Sequence, residues 1–205
     1  MERSCIIISG GDFAPVPKPA EGEFVIACDR GYTYAQRCGV TPDLVVSDFD
    51  SYEGAIEPGV DVRRFCPEKD DTDTMIAIKT AIGMGFTRAA VYCALGGRLD
   101  HTLANLQSAV YAAEHGLEVS ILSPDTEIYT LRNGRLCLPR RDGFSLSVFS
   151  ASGLCRGVSL RGTKYELNNV ELTASFPLGV SNEWAGDTAV ISVEDGVLQI
   201  VLSKL

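Results

Sequence analysis

The period of the apolar residues changes near residue 125, and no single uniform architecture accommodates both parts of the chain. Up to that point, the runs "CIIIS", "EFVIACD", "DLVVSD", "VRRFC", "AAVYCAL" and "EVSILS" read as short strands. Helical stretches separate them at roughly Arg30–Cys38, Thr72–Met84 and His101–His115. Met75, Ile78 and Ile82 form an apolar stripe in the second helix, and Leu103, Leu106 and Val110 form one in the third. Gly83 with Gly85, and Gly116, supply the stops. Strands apolar on both faces and separated by helices predict a mostly parallel sheet covered on both sides. After Asp125 the helical period disappears. Asn133–Gly134 and Asp195–Gly196 predict two-residue hairpin turns, and "KYELNNVELT" pivots similarly at Asn168–Asn169. The expected fold is therefore α/β and Rossmann-like over residues 1–125, followed by a small antiparallel β-sandwich over residues 126–205. There is no internal repeat, low-complexity tract or long linker.

A formal net charge of −9 disfavours a nucleic-acid binder, which needs basic groups to neutralise phosphates. The seven cysteines include no C-x-x-C pair, and several sit within apolar strand-like runs, so buried reduced thiols are expected rather than a disulfide framework. His101 and His115 lie near no cysteine pair, which excludes a zinc site of the usual spacing. No segment approaches the roughly 20 apolar residues of a membrane helix, and the first apolar run is too short for a signal peptide. A soluble, cytoplasmic protein with no membrane partner is expected.

The chemistry-bearing residues are carboxylates. "LVVSDFDS" carries an apparent strand directly into Asp48 and Asp50, which share a face if the chain stays extended. "PEKDDTDT" places Asp70, Asp71 and Asp73 at the start of the second helix. One of these would be a cap. Three are harder to explain so, because carboxylates 4–5 Å apart repel by roughly 3–4 kcal/mol at an effective dielectric near 20. "LGGRLDH" adds Arg98 on a glycine loop, where a guanidinium can clamp phosphate, and Asp100 just ahead of a helix as an N-cap candidate. Asp29 ends the second strand in "ACDRG". In an open parallel sheet these loops all emerge at the carboxyl edge, where ligands bind. Hard oxygen donors without His or Cys favour Mg2+ accompanying a polyphosphate. The glycine signatures G-x-x-x-x-G-K-[ST] and G-x-G-x-x-G are absent, while "SGGDFAP" offers backbone N–H groups after the first strand.

Together, "SGGDF", "ACDRG", "PDLVVSDFDS", "EKDDTDT", "GGRLDHTLANL", "GTKYEL" and "GVSNEW" resemble thiamine pyrophosphokinases, in order and over nearly the whole chain. The resemblance implies transfer of the pyrophosphoryl group of ATP to the hydroxyl of thiamine, releasing AMP, by a homodimer with sites between subunits. Carried over by position, it implies metal ligation by Asp29, Asp48, Asp50 and Asp73. Asp29, Arg30, Gly31, Ser51, Thr72 and Arg98 would lie along the nucleotide and its phosphates, and Asp100 near the reacting hydroxyl. Asp73, Asp100 and Arg98 would be catalytic; Tyr165, Ser181 and Asn182 would contact thiamine. The chain departs from some members at Arg30, where they carry glycine, and at Tyr165, where they carry tryptophan. Two other readings fit part of this pattern. A haloacid-dehalogenase-type phosphatase also places D-x-D after a strand, but it needs a further α/β unit where this chain turns all-β. A non-catalytic module binding Mg2+ and nucleotide leaves "GTKY" and "GVSNEW" unexplained.

Overall fold

The computed structural model describes residues 2–47, 56–64 and 71–205. The chain divides into two compact units, Met1–Pro124 and Asp125–Leu205.

The first unit begins with β1 (Ser4–Ile8) and β2 (Phe24–Cys28), then α1 (Arg30–Arg37), β3 (Leu44–Ser47) and β4 (Asp61–Arg64). It continues with α2 (Asp73–Gly83), β5 (Arg88–Tyr92), α3 (Leu99–Glu114) and β6 (Glu118–Leu122). These strands pair in parallel in the order β6-β5-β1-β2-β3-β4. The centre of the sheet is the most apolar strand: Ile6 stands beside Val25 on one side and Ala90 on the other. Cys5, Ile7 and Ile8 are 0% exposed, so side chains of both faces are covered, as a parallel sheet flanked by helices requires. Each such isoleucine contributes about 1.5–3 kcal/mol by leaving water. At the edge, β4 reads DVRR and is the least apolar strand.

The helices sit where expected, but two present different faces. In α2 the buried side chains include Thr74, Ala77, Ile78 and Ala81, with Met75 and Ile82 only half-buried. In α3 the buried side chains are Asn105, Ser108, Ala109, Ala112 and Ala113, while Leu103 is 52% exposed. The predicted leucine stripe is therefore not the packing face. Small residues let the helix axis come close, which large side chains would prevent. α3 also starts at Leu99, two residues before the expected boundary, with Arg98 rather than Asp100 at the N-cap position. Asp100 lies in the first turn instead, where negative charge is equally favourable. After α2 and α3, Gly85 (φ 76°) and Gly116 (φ 82°) turn the chain away in the left-handed conformation.

The second unit comprises β7 (Thr126–Pro139), β8 (Phe144–Ser150), β9 (Leu154–Arg161), β10 (Leu167–Thr173), β11 (Gly179–Asn182) and β12 (Thr188–Lys204). All its strand pairs are antiparallel. The hairpin turns expected at Asn133–Gly134 and Asp195–Gly196 do not form. Both dipeptides lie inside long strands, opposite each other, where the β7–β12 register shifts between Val193 and Val197. Asn133 has φ 42°, and its Oδ1 accepts the Gly196 N–H at 2.8 Å. Positive φ is what these residue types supply, here as a bulge that bends a strand pair rather than reversing it. Beyond the bulge β12 changes its second partner, pairing with β9 on one side of it and β8 on the other. Asn168–Asn169 is likewise an irregularity in the β9–β10 ladder, with Asn169 at φ 53°. A core of Leu146, Val148, Leu160, Ile191, Leu198 and Ile200 fills this unit.

Of the cysteines, Cys5, Cys28, Cys93 and Cys155 are buried thiols, as expected. Cys38 is only half-buried and Cys137 is exposed, contrary to expectation, while Cys66 lies outside the described residues.

Candidate active site

The strand order reverses between β1 and β5: the chain runs outward through β2, β3 and β4, then returns to the other side of β1. Ligands of open parallel sheets bind beyond the carboxyl ends at such a reversal. The segments leaving these ends are Ser9–Asp12 after β1, Asp29 after β2, Asp71–Asp73 ahead of α2, and Cys93–Asp100 after β5. Chain exit from β3 occurs at Ser47 on the same edge. Asp48, Asp50, Ser51 and Asp70 lie outside the described residues.

Three of the N–H groups of the glycine loop after β1, expected to face a phosphate, are used within the sheet. Ser9 donates its N–H to the Tyr92 carbonyl, Gly11 to that of Cys93 and Asp12 to that of Leu95, at 2.7–2.9 Å. The loop thus prolongs the β1–β5 ladder. A Cβ on Gly11 would lie 2.7 Å from both the Cys93 and Leu95 oxygens, and one on Gly96 would lie 2.1 Å from Asp12 Oδ2. A close approach to Asp12 therefore accounts for glycine at position 96. Asn105, buried in α3, anchors the same β5 loop by donating to the Ala94 carbonyl at 2.7 Å.

Asp29 occupies the N-cap position of α1 with φ 41° and ψ −110°, a region L-residues rarely adopt, and makes no side-chain capping bond. Its Oδ1 instead accepts the Ser47 hydroxyl at 3.2 Å. Gly31 next to it is buried, and a Cβ there would lie 2.0 Å from the Ile8 carbonyl, so α1 begins directly against the end of β1. Arg30 is exposed.

Asp73 opens α2. Thr72 caps the helix, its Oγ1 accepting the Met75 N–H at 3.2 Å. The Cys28 thiol contacts the Asp73 carbonyl at 3.6 Å, and Thr74 makes a buried 2.6 Å hydroxyl–hydroxyl bond with Ser9. Burial first, then the charges of Asp73 and Asp29, hold the Cys28 thiol well above its ordinary value of 9.0. The start of α2 therefore meets the end of β2 at this buried thiol. Asp71 is engaged elsewhere, accepting both its bonds from Lys79 Nζ at 2.7 and 2.9 Å.

Arg98 and Asp100 form a two-pronged pair, Nε to Oδ1 at 3.1 Å and Nη2 to Oδ2 at 2.5 Å, on the exposed end of α3. The guanidinium bond is the largest cause holding Asp100 below its usual carboxylate range. Neighbouring His101 is exposed.

Among the described residues, no three His, Cys, Asp or Glu side chains are gathered around one point in a way that would hold a metal. What the described edge contributes is two hard oxygen donors, Asp29, whose carboxylate accepts the Ser47 hydroxyl, and Asp73, whose backbone carbonyl meets the Cys28 thiol. Such donors fit a magnesium ion rather than a soft metal.

In the second unit, Tyr165 is 62% exposed at the tip of the β9–β10 connection. Asn182 is buried and devoted to that tip: its Oδ1 accepts the Tyr165 N–H at 3.0 Å and its Nδ2 donates to the Tyr165 carbonyl at 2.7 Å. Ser181 is exposed at φ 56° and donates its N–H to Ser147 Oγ. Trp184 is buried, with Nε1 donating to the Leu138 carbonyl at 3.1 Å, so it belongs to the core.

Sequence reasoning missed the polar residues beneath the carboxylates. Ser9 and Ser47 each end an apolar strand, and a lone serine there was the available signal. Cys28 and Thr74 gave none, since a thiol in a strand and a threonine in a first helical turn are ordinary.

Comparison with known proteins adds an independent line. Residues 20–121 match the family described as thiamin pyrophosphokinase, catalytic domain, and residues 135–198 match thiamin pyrophosphokinase, vitamin B1 binding domain. A thiamine pyrophosphokinase of Bacillus subtilis is 24% identical over 207 residues, covering 96% of this chain and 97% of that protein. The crystal structure of thiamine pyrophosphokinase from Bacillus subtilis superposes with a TM-score of 0.88 at 23% identity, covering 99% of this chain and 100% of that one. That from Geobacillus thermodenitrificans gives 0.83 at 24% identity, with 98% of each chain covered.

Proposed function

The chain belongs to the thiamine pyrophosphokinase family, kinases that transfer pyrophosphate from ATP to thiamine, and from that premise we propose how its own residues divide the work. Asp29, Asp48, Asp50 and Asp73 hold Mg2+ at the carboxyl edge of the parallel sheet. Bound there, the ion supplies charge neutralisation on the polyphosphate oxygens. Arg30, Gly31, Ser51, Thr72 and Arg98 line the nucleotide. The Arg98–Asp100 pair uses Nε and Nη2, and a guanidinium has five N–H bonds, so donors remain for a phosphate.

In the reaction, the thiamine hydroxyl oxygen bonds to the β-phosphorus, the bridging oxygen departs on AMP, and the hydroxyl proton passes to a base. The catalytic task is alignment and charge stabilisation. A carboxylate held low by an arginine is a weaker base, so Asp100 orients the hydroxyl and Arg98 meets the developing charge. Asp73 contributes by holding the metal, and the hydroxyl proton leaves to solvent water.

Tyr165 offers its exposed ring to thiamine, Ser181 supplies a hydrogen bond, and Asn182 sets the Tyr165 backbone. The functional unit is a homodimer, consistent with exposed Leu99 at 73% and Leu103 at 52% in the first unit, and Phe176 at 65% in the second. Free thiols at Cys5, Cys28, Cys93 and Cys155, with no helix among the described residues long and apolar enough to cross a membrane, fit the cytoplasm.

The observation that supports the assignment of the first unit is the 3.6 Å contact of the Cys28 thiol, next to Asp29 at the end of β2, with the Asp73 carbonyl, since it draws two separate loops to one place. The test is incubation with Mg-ATP and thiamine, following AMP and thiamine diphosphate together. Wild type is expected to form both in equal amounts only when thiamine is present. Asp73→Asn is expected to lose about 100-fold or more of that rate, the scale on which electrostatic stabilisers act. Thiamine-independent phosphate release, or full activity of Asp73→Asn, would contradict the assignment.

A further inference from the structure

Three consecutive residues at the start of α2 are each fastened by a different device. Thr72 caps the helix, the Asp73 carbonyl receives the Cys28 thiol, and Thr74 bonds to Ser9. The last of these is the least expected. Ser9 is 3% and Thr74 5% exposed, and their oxygens are 2.6 Å apart, a short O–H···O bond. Burying two hydroxyls costs free energy that valine and alanine would avoid. Adhesion of α2 to the sheet does not need the bond, because Ala77, Ile78 and Ala81 already supply an apolar face. What the bond adds is direction. Ser9 is itself immobilised by its N–H to the Tyr92 carbonyl, in the centre of the sheet. A hydroxyl anchored there fixes how far α2 is rotated and how far it slides along the strands. The adjoining side chain is Asp73.

We propose that Ser9 and Thr74 are positioning residues that fix the Asp73 carboxylate at the sheet edge for the metal, an inference that rests on the metal role of Asp73 given above. The pair also ties the β1 loop to the acidic turn, so two of the segments bordering the site move as one.

The test is Mn2+ binding to the full-length chain, read from loss of the free-ion electron paramagnetic resonance signal, without any turnover. Thr74→Val keeps the shape and deletes the bond, and is expected to weaken Mn2+ about tenfold, the lower end of what outer partners of a metal site cost. Thr74→Ser restores the hydroxyl and should bind within about twofold of wild type, less than one net hydrogen bond. Ser9→Ala removes the same bond from the sheet side and should weaken binding as Thr74→Val does. The double variant should be no weaker than either, since one interaction cannot be lost twice. If Thr74→Val does not fold, Ser9→Ala alone decides the matter. Wild-type Mn2+ affinity in Ser9→Ala and Thr74→Val, with only the unfolding midpoint lowered, would reduce the pair to a structural bond and overturn the proposal. Asp73→Asn in the same titration separates the two levels. Weakening by Asp73→Asn but not by Thr74→Val overturns the positioning role alone, whereas wild-type binding by Asp73→Asn overturns the metal role itself.

Discussion

Asp29 combines an unfavourable backbone with a side chain that caps nothing. Its φ of 41° costs about 1–3 kcal/mol for a residue with a Cβ, and glycine would remove that cost. Retaining a carboxylate there makes sense only if the charge has work to do. Asp29→Gly is therefore expected to leave the unfolding free energy within about 1 kcal/mol of wild type, because strain relief offsets the added freedom of the unfolded chain. Its turnover should fall by roughly 100-fold or more. Equilibrium denaturation and the AMP assay on one preparation check both halves. The buried thiols give a second expectation. Burial, with a smaller contribution from Glu23, pushes Cys5 up to about 12 from 9.0, and Cys28 is also raised. Groups raised in the folded state contribute their full stability below the unfolded value and lose it as pH rises toward the folded one. Unfolding free energy should be flat between pH 7 and about 8, then decline above about 9 by roughly 1.4 kcal/mol per pH unit for each such thiol. Cys5→Ala should lessen the slope in urea titrations across that range. At this scale the sequence was partly legible. The carboxylates stood out because like charges close together demand a reason, whereas Ser9, Ser47 and Thr74 do their positioning with residues that are unremarkable until the fold brings them together.

Among elements, periodicity located the helices of the first unit to within two residues but misjudged which faces pack. Leucines at helical spacing marked α3, yet Ala109, Ala112 and Ala113 face inward. Apolar period records amphipathicity, and a face reserved for contact outside the unit is amphipathic too. Turn chemistry failed for a related reason. Asn-Gly and Asp-Gly report positive φ, which a hairpin and a bulge both need, and only the long-range register distinguishes them. Gly196 shows how tightly the bulge is specified: at φ 119°, a Cβ would lie 2.7 Å from Cys155 Sγ, itself 0% exposed. Gly196→Ala is expected to destabilise by roughly 2–4 kcal/mol through strain and overpacking. Asn133→Ala, which loses the 2.8 Å bond to Gly196, should cost about 1 kcal/mol. Chemical denaturation measures both, and near-neutral values would mean that the bulge does not organise the β unit.

On the scale of the whole molecule, the change of period near residue 125 was the clearest statement in the sequence, and the chain does form a parallel α/β unit followed by an antiparallel β unit. A homodimer is implied by the resemblance and is a proposal, and Leu99 and Leu103 read as core residues until the helix is oriented and leaves them exposed. Sedimentation should show a species containing two 22.0 kDa chains, and Leu103→Glu should shift it toward one; a monomeric wild type would remove the homodimer. The central claim remains that acidic loops from separate strands gather one divalent ion at the carboxyl edge. Crystals grown with Mn2+ and a non-hydrolysable ATP analogue test it most directly, through the anomalous signal of manganese. The expected result is a peak coordinated by both Asp29 and Asp73 and by phosphate oxygens. A peak that contacts neither carboxylate, with nucleotide bound away from that edge, would contradict the account.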